Sequence, residues 1–346
     1  MNYTKNSIST LAIFSLLLAG FFFIYTFLSS QINPTNFSLI KQGLTEKNEL
    51  DEALKKASLM EEKTVIITVI NKAYVEPHNG EYPSMLDLFL ESFWEGESTR
   101  VLLEHLLVVA VDQTAYERCK FRRLHCYRLV TDDVDFAGEK IYMSEEFIKM
   151  MWRRTEFLMQ VLKLGYNFIF TDTDVMWLRN PFLMLNKSEI LDLQVSSDWF
   201  NGDPFSNSNS INTGFYYVRS NTRTITLFEI WYAMRRNSKG MKEQDVLAKL
   251  IHEGVNTELG LKIKFLDTIH FGGFCSDNKD VELVVTVHAN CCRSIQAKVA
   301  DLKKVLMDWN RFKEDHVASA TGQNTFKWSN HISCNNSWHL LNSNLS

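Results

Sequence analysis

Proline is scarce, 5 in 346 residues, and glycine is modest at 14, so disorder is expected only at the ends of the chain. No Cys-x-x-Cys pair occurs, which leaves no framework for a structural zinc. Charge of neither sign dominates: 37 Lys and Arg stand against 41 Asp and Glu, a net of −4. No basic cluster is dense enough to follow a phosphate backbone, so nucleic acid is excluded as a partner. No internal repeat is visible, which excludes solenoids and propellers. What remains is a chain with 45% hydrophobic residues, able to bury a full core in one large catalytic domain.

Residues 8–28 carry no charge. The run has the length of a bilayer-spanning helix rather than of a signal-peptide core, and no polar face interrupts it. It predicts a single-pass anchor with residues 1–7 in the cytosol and the rest of the chain in the lumen, a Golgi membrane arrangement. Cleavage near Leu28-Ser29-Ser30-Gln31 is the alternative. All six cysteines follow the anchor, an even number compatible with disulfides, but six can pair in many ways and the sequence does not choose. Asn36, Asn186, Asn335 and Asn344 head N-glycosylation triplets.

Residues 29–62 are polar and end in a charged helical pattern over 49–56, which suits a stem. A catalytic domain is expected over 63–316 and a loosely held, Asn- and Ser-rich tail over 317–346. Residues 64–71 form a β-branched run read as the first strand, and 105–112 read as the second. Pro83 opens a helix that continues through Phe93. Ser144 caps a long helix with apolar positions from Ile148 to Leu162, Gly165 stops it, and a strand over Asn167–Thr171 follows. Later elements are a strand over 214–219, helices over 222–236 and Glu243–His252, strands near 262–266 and 283–287, and a helix over 294–313. Strands alternating with helices mean crossover connections. The fold class is therefore α/β, a Rossmann-like, mainly parallel sheet flanked by helices and preceded by a single transmembrane helix.

Two carboxylates, Asp172 and Asp174, stand at the end of the buried strand over Asn167–Thr171, where ligands of open α/β sheets bind. In an extended segment both point to one face, a pattern that suits a hard cation such as Mn²⁺ or Mg²⁺ and the phosphates it holds. His288 ends another apolar strand and can add a neutral imidazole, although a histidine there also serves as a structural hydrogen-bonding group. Arg154 lies on the helix leading to the carboxylate strand, where a guanidinium can neutralise phosphate; Gln244 and Asp245 open a helix, where an acid is also ordinary dipole complementarity. The polar stretch 201–214 is a long loop that ends before a strand.

The segments Thr68-Val69-Ile70-Asn71, Arg154 with Leu158, Asp172-Thr173-Asp174-Val175-Met176-Trp177-Leu178-Arg179-Asn180-Pro181 and Asn212-Thr213-Gly214-Phe215-Tyr216 occur in an informative order. They continue with Glu243-Gln244-Asp245-Val246-Leu247, Phe271-Gly272-Gly273-Phe274-Cys275 and His288-Ala289-Asn290-Cys291-Cys292. In that order they resemble the plant nucleotide-diphospho-sugar transferases, glycosyltransferase family 77, over residues 63–313. The resemblance implies a GT-A fold, a UDP-sugar donor, a glycan or glycoprotein acceptor, and retention of anomeric configuration. It implies that Asp172, Asp174 and His288 hold Mn²⁺ or Mg²⁺, with Asp172 also near the ribose. By the same resemblance Arg154 lies near the diphosphate, Asn71 borders the base, and Asn212, Gln244 and Asp245 surround the transferred sugar. It favours a pentose such as xylose or arabinose, or galactose, moved to a wall polysaccharide or glycoprotein glycan.

Two other readings stay open on the residues. Phe170-Thr171-Asp172-Thr173-Asp174-Val175 also fits a phosphatase of the haloacid-dehalogenase type, although that fold carries its nucleophile on the first strand. A non-catalytic glycan-binding protein on the same fold is the other.

Overall fold

The computed structural model describes residue 20 and residues 34–59, 62–77, 83–130, 136–140, 143–185, 190–276, 280–318 and 326–340. No helix among them is long and apolar enough to cross a membrane, and the anchor expected over 8–28 lies outside them, Gly20 excepted. Two compact units divide between residues 52 and 53. Helix α1 (Pro34–Ala57) makes the expected stem helical well beyond its charged end.

The second unit is built on a seven-stranded sheet. Strands β1 (Thr64–Ile70), β2 (Leu106–Ala110), β3 (His125–Arg128) and β4 (Asn167–Thr171) are joined through helices α2 (Met85–Glu95), α3 (Gln113–Phe121) and α4 (Glu145–Lys163). The order is β3-β2-β1-β4-β7-β6-β8, with β6 (Leu193–Trp199), β7 (Ser210–Val218) and β8 (Ile263–Phe265); helix α5 (Thr222–Ala233) follows β7. All pairs are parallel except β4–β7 and β6–β7. Crossover helices require both sheet faces to be apolar, and β1, β2 and β4 are buried almost throughout. The mainly parallel α/β sheet flanked by helices matches the expectation.

A second, three-stranded sheet has the order β5-β10-β9: β5 (Val175–Trp177), β10 (Thr286–His288) and β9 (Phe271–Gly273). Trp177 joins it to the helical layer. The indole is fully buried, stacks on Phe93 of α2 at 4.6 Å and meets Phe215 of β7 edge-on at 5.6 Å. Its ring N–H donates to Thr171 Oγ1 (3.2 Å) and its backbone N–H to Ser92 Oγ (3.0 Å), so both donors of Trp177 are met.

Some boundaries differ from the sequence reading. Ser84, not Pro83, starts α2, through a capping box with Asp87. β6 was not expected: buried Gln194, Ser196 and Ser197 remove its apolar alternation. The expected loose tail is instead held down over its described part. Helix α7 (Ile295–Ala318) receives it: Cys334 N–H donates to Asp301 Oδ2 (2.8 Å) and Ser329 N–H to Asp308 Oδ2 (2.6 Å). The six cysteines pair as Cys119–Cys126, Cys275–Cys291 and Cys292–Cys334, and the last fastens helix α8 (Ile332–Leu340).

Candidate active site

The chain leaves β4 and turns at once. Val175 N–H donates to Asp172 O (3.2 Å), and Asp172 N–H donates to Gly214 O (2.7 Å) on the neighbouring strand β7. The carboxylate segment is thus a tight turn rather than the extended run expected, but it still gathers both side chains. With Trp177 wedged into the core three residues on, the turn has little freedom to move.

Asp172, Asp174 and His288 each offer a ligand atom, and these atoms lie within 4.8 Å of one another. His288 arrives from β10, which pairs antiparallel with β5 so that His288 stands opposite Val175. Its Nε2 is 3.3 Å from Asp174 Oδ1. The other Asp174 oxygen accepts from Lys298 Nζ at 2.6 Å, from the first turns of α7. Burial disfavours a charged Asp174, but Lys298 and His288 outweigh it and hold the carboxyl below the usual carboxylate range. Asp172 moves the other way: burial raises it, Arg154 opposes, and the charge of Asp174 adds to the rise. Two carboxylates and an imidazole form a donor set for a divalent cation, and the cluster already draws a lysine as its counter-ion. The residues fit such a cation.

Arg154 lies on α4 and is only 6% exposed. Its two terminal nitrogens divide between Asp172 Oδ1 (2.8 Å) and Glu243 Oε1 (2.6 Å), and its guanidinium stacks 4.5 Å from the Phe170 ring. Glu243 also accepts from Thr213 Oγ1 (3.1 Å), while its Oε2 has no partner among the described residues. Gln244, next on helix α6 (Glu243–His252), accepts from Thr213 N–H at 3.0 Å. These groups share one cavity of about 270 Å³ with the carboxylate cluster.

Asn212 lies in the same cavity. Its Nδ2 donates to Asp198 Oδ1 (2.7 Å), and Asn290 Nδ2 donates to that same oxygen (2.8 Å). The β6–β7 pairing shifts register on both sides of Ser196–Ser197, just before Asp198, and such irregularities re-aim side chains at sites. Asn71 also borders the cavity, but its amide is engaged on backbone. It donates to Phe136 O (2.8 Å) and Gly138 O (2.9 Å), and accepts from Ala73 N–H (3.0 Å). Asn71 therefore shapes the wall with its amide held on the backbone.

Asp245 is not brought in. It does not line the cavity, and its carboxylate is 3.8 Å from Lys242. Burial, with Glu243 adding and Lys242 opposing, pushes its carboxyl up. Successive helix residues diverge by about 100°, and Val246, Leu247, Leu250 and Ile251 bury one side of α6, so Glu243 and Gln244 face the cavity and Asp245 does not.

Gly214 is a tight backbone approach in the site. A Cβ there would overlap His288 Cε1 and stand 3.0 Å from Asp172 Oδ2 and from Asn212 Oδ1. Gly214→Ala is expected to displace His288 and lower divalent-cation affinity by about 10- to 100-fold, with less effect on folding. Calorimetric titration with Mn²⁺ checks this; unchanged affinity would show that the site yields freely.

Lys298, Glu243, Asp198 and Asn290 were not expected here as site groups. Asp198 ends a strand without a pattern, and Lys298 reads as one cation among several on an amphipathic helix. A model of nucleotide-diphospho-sugar transferases matches residues 101–302. An uncharacterized Arabidopsis thaliana protein is 51% identical over 98% of this chain and 96% of its own length. A beta-arabinofuranosyltransferase of the same plant is 26% identical over 69% of this chain, which spans 46% of that protein. Among solved structures, a glycosyltransferase involved in glycosylating the major capsid protein of PBCV-1 aligns with a TM-score of 0.41 and 15% identity, over 69% of this chain and 98% of that one. The chain is a glycosyltransferase of the nucleotide-diphospho-sugar transferase family.

Proposed function

We propose that this protein is a retaining glycosyltransferase that moves a sugar, a pentose or galactose, from a UDP-sugar to a plant-wall polysaccharide or glycoprotein glycan. The observation that carries the proposal is the meeting of Asp172, Asp174, His288, Arg154 and Lys298 in one cavity at the carboxyl end of β4. A nucleoside diphosphate is the leaving group, so the reaction chiefly demands stabilisation of negative charge. Mn²⁺ or Mg²⁺ on Asp172, Asp174 and His288 would supply Lewis-acid stabilisation of that charge. Lys298 is placed to neutralise a phosphate oxygen beside the cluster, and Arg154 opposes the upward push of burial on Asp172 and orients its carboxylate. Gln244 offers its amide N–H and Asp198 its second carboxylate oxygen to sugar hydroxyls, with Asn212 orienting Asp198.

Retention is what the family resemblance implies, and the sugar side is compatible with it. Glu243 and Asp198 are both tethered by hydrogen bonds, and Gln244 offers an amide, a poor nucleophile. Attack by the acceptor from the face the diphosphate leaves needs no protein nucleophile, since a phosphate oxygen takes the acceptor proton. The pentose is favoured by relatives named as arabinosyl- and xylosyltransferases of Arabidopsis thaliana. A Golgi lumenal setting, with residues 8–28 as anchor, agrees with three disulfides.

The purified chain is to be incubated with UDP-xylose, UDP-arabinofuranose and UDP-galactose, with and without Mn²⁺, and the products followed by NMR. Cation-dependent release of UDP with the donor's anomeric configuration kept is expected. Inversion would overturn the mechanism, and phosphate release from a phosphomonoester without UDP-sugar turnover would favour the phosphatase.

A further inference from the structure

Helix α8 lies beyond the residues matched by the family model, yet it contributes a wall to the cavity. Trp338 is the residue that does so. Three tethers fix its backbone surroundings: the Cys292–Cys334 disulfide, the Cys334 N–H bond to Asp301, and the bond from Arg293 N–H to Ser337 Oγ (3.0 Å). The ring itself is held at one edge, where its N–H donates to Cys291 O (2.7 Å), and the Arg293 guanidinium lies 3.8 Å from its centroid. Even so, 40% of the residue is exposed. The fixed indole thus presents exposed apolar surface at the cavity wall.

We infer that Trp338 forms the acceptor platform of this transferase: the Arg293 guanidinium covers one face of the indole, and the apolar face of a glycan's terminal sugar ring stacks on the other. The inference rests on the glycosyltransferase reading and adds to it where the acceptor binds. Position in the cavity supports a sugar over the donor's base. Trp338 is bonded to Cys291, which follows Asn290, and Asn290 holds Asp198 together with Asn212. That chain of contacts ties the indole to the groups assigned to sugar hydroxyls. Val69 and Ile70, beside Asn71 on the wall that the resemblance gives to the base, come from β1 instead. A planar aromatic ring suits a saccharide because its C–H face is apolar and its rim polar, so one surface serves both.

The test uses the full chain, the UDP-sugar it turns over, and a labelled pool of plant-wall oligosaccharides as acceptor. Trp338→Ala is expected to raise the half-saturating acceptor concentration about tenfold, with UDP affinity by calorimetry within twofold of the unaltered chain. Trp338→Phe keeps a stacking ring without the edge hydrogen bond and is expected to recover most of the loss, which a purely structural role of the indole N–H would not allow. Unchanged acceptor saturation in Trp338→Ala would overturn the proposal. Weakened UDP binding would overturn it too, by moving the indole to the nucleoside. Absence of donor turnover in the unaltered chain would instead overturn the glycosyltransferase reading on which it rests.

Discussion

Asp174→Asn is expected to lower UDP-sugar turnover by about 10³-fold while the protein still folds. The substitution keeps the shape of the side chain and removes its charge. Asp174 faces two cationic or cation-seeking partners at once, Lys298 at 2.6 Å and His288 at 3.3 Å. An amide in its place gives a divalent cation one neutral ligand and leaves the Lys298 ammonium without its counter-charge. The effect should appear as a loss of Mn²⁺-dependent rate that added Mn²⁺ restores only in part. Turnover at the normal rate would remove this carboxylate from the site. Asp172→Asn should act in the same direction, and His288→Ala less severely, because imidazole contributes a ligand without charge.

Arg154→Met is expected to be the most destabilising single change in the site, by about 3–5 kcal/mol. Methionine fills a similar volume, so the loss is electrostatic. Arg154 is the common partner of Asp172 and Glu243, and Glu243 is 2% exposed. Without the guanidinium, Glu243 keeps only the Thr213 hydroxyl, and its second oxygen already lacks a partner among the described residues. The Asp172 carboxyl, which burial raises and Arg154 opposes, would shift further toward its neutral form. Urea unfolding checks this, with a lower midpoint at unchanged slope as the expected result. A midpoint equal to that of the unaltered chain would mean that water or local movement solvates Glu243. Arg154→Lys should recover little, since one ammonium cannot bridge both carboxylates as the forked guanidinium does.

Much of this was legible locally. β4 is a short apolar strand whose composition alone marks it as buried, and its carboxyl end is where an α/β sheet binds ligands. α4 shows its caps and period in the sequence, from the Ser144 N-cap to the left-handed Gly165 beyond its end. The alternation of strands and helices determined the parallel sheet, because parallel neighbours need crossovers. Asp172, Asp174 and His288 were legible as residues at strand ends, each from its own short segment.

What brought them together was not local. His288 meets Asp174 only because β10 pairs antiparallel with β5, a register set by hydrogen bonds between segments more than a hundred residues apart. The same holds for Lys298 and Asp198, which carry no signal until α7 and the shifted β6–β7 pairing place them. In Glu243-Gln244-Asp245 three polar residues stand in a row, and nothing in their order says which face a ligand. Packing of Val246, Leu247, Leu250 and Ile251 on the core sets the helix phase and turns Asp245 away. The backbone bonds of Asn71 are set in a related way, since its amide caps the turn over Lys72–Val75 and bonds the backbone near 136–138. The sequence by itself determined the fold class, the family and the residue types that can hold a cation. Tertiary structure alone decided the disulfide partners, the arrival of Trp338 and the orientation of each site group, because these depend on contacts between distant segments, whereas periodicity and caps act over a few residues.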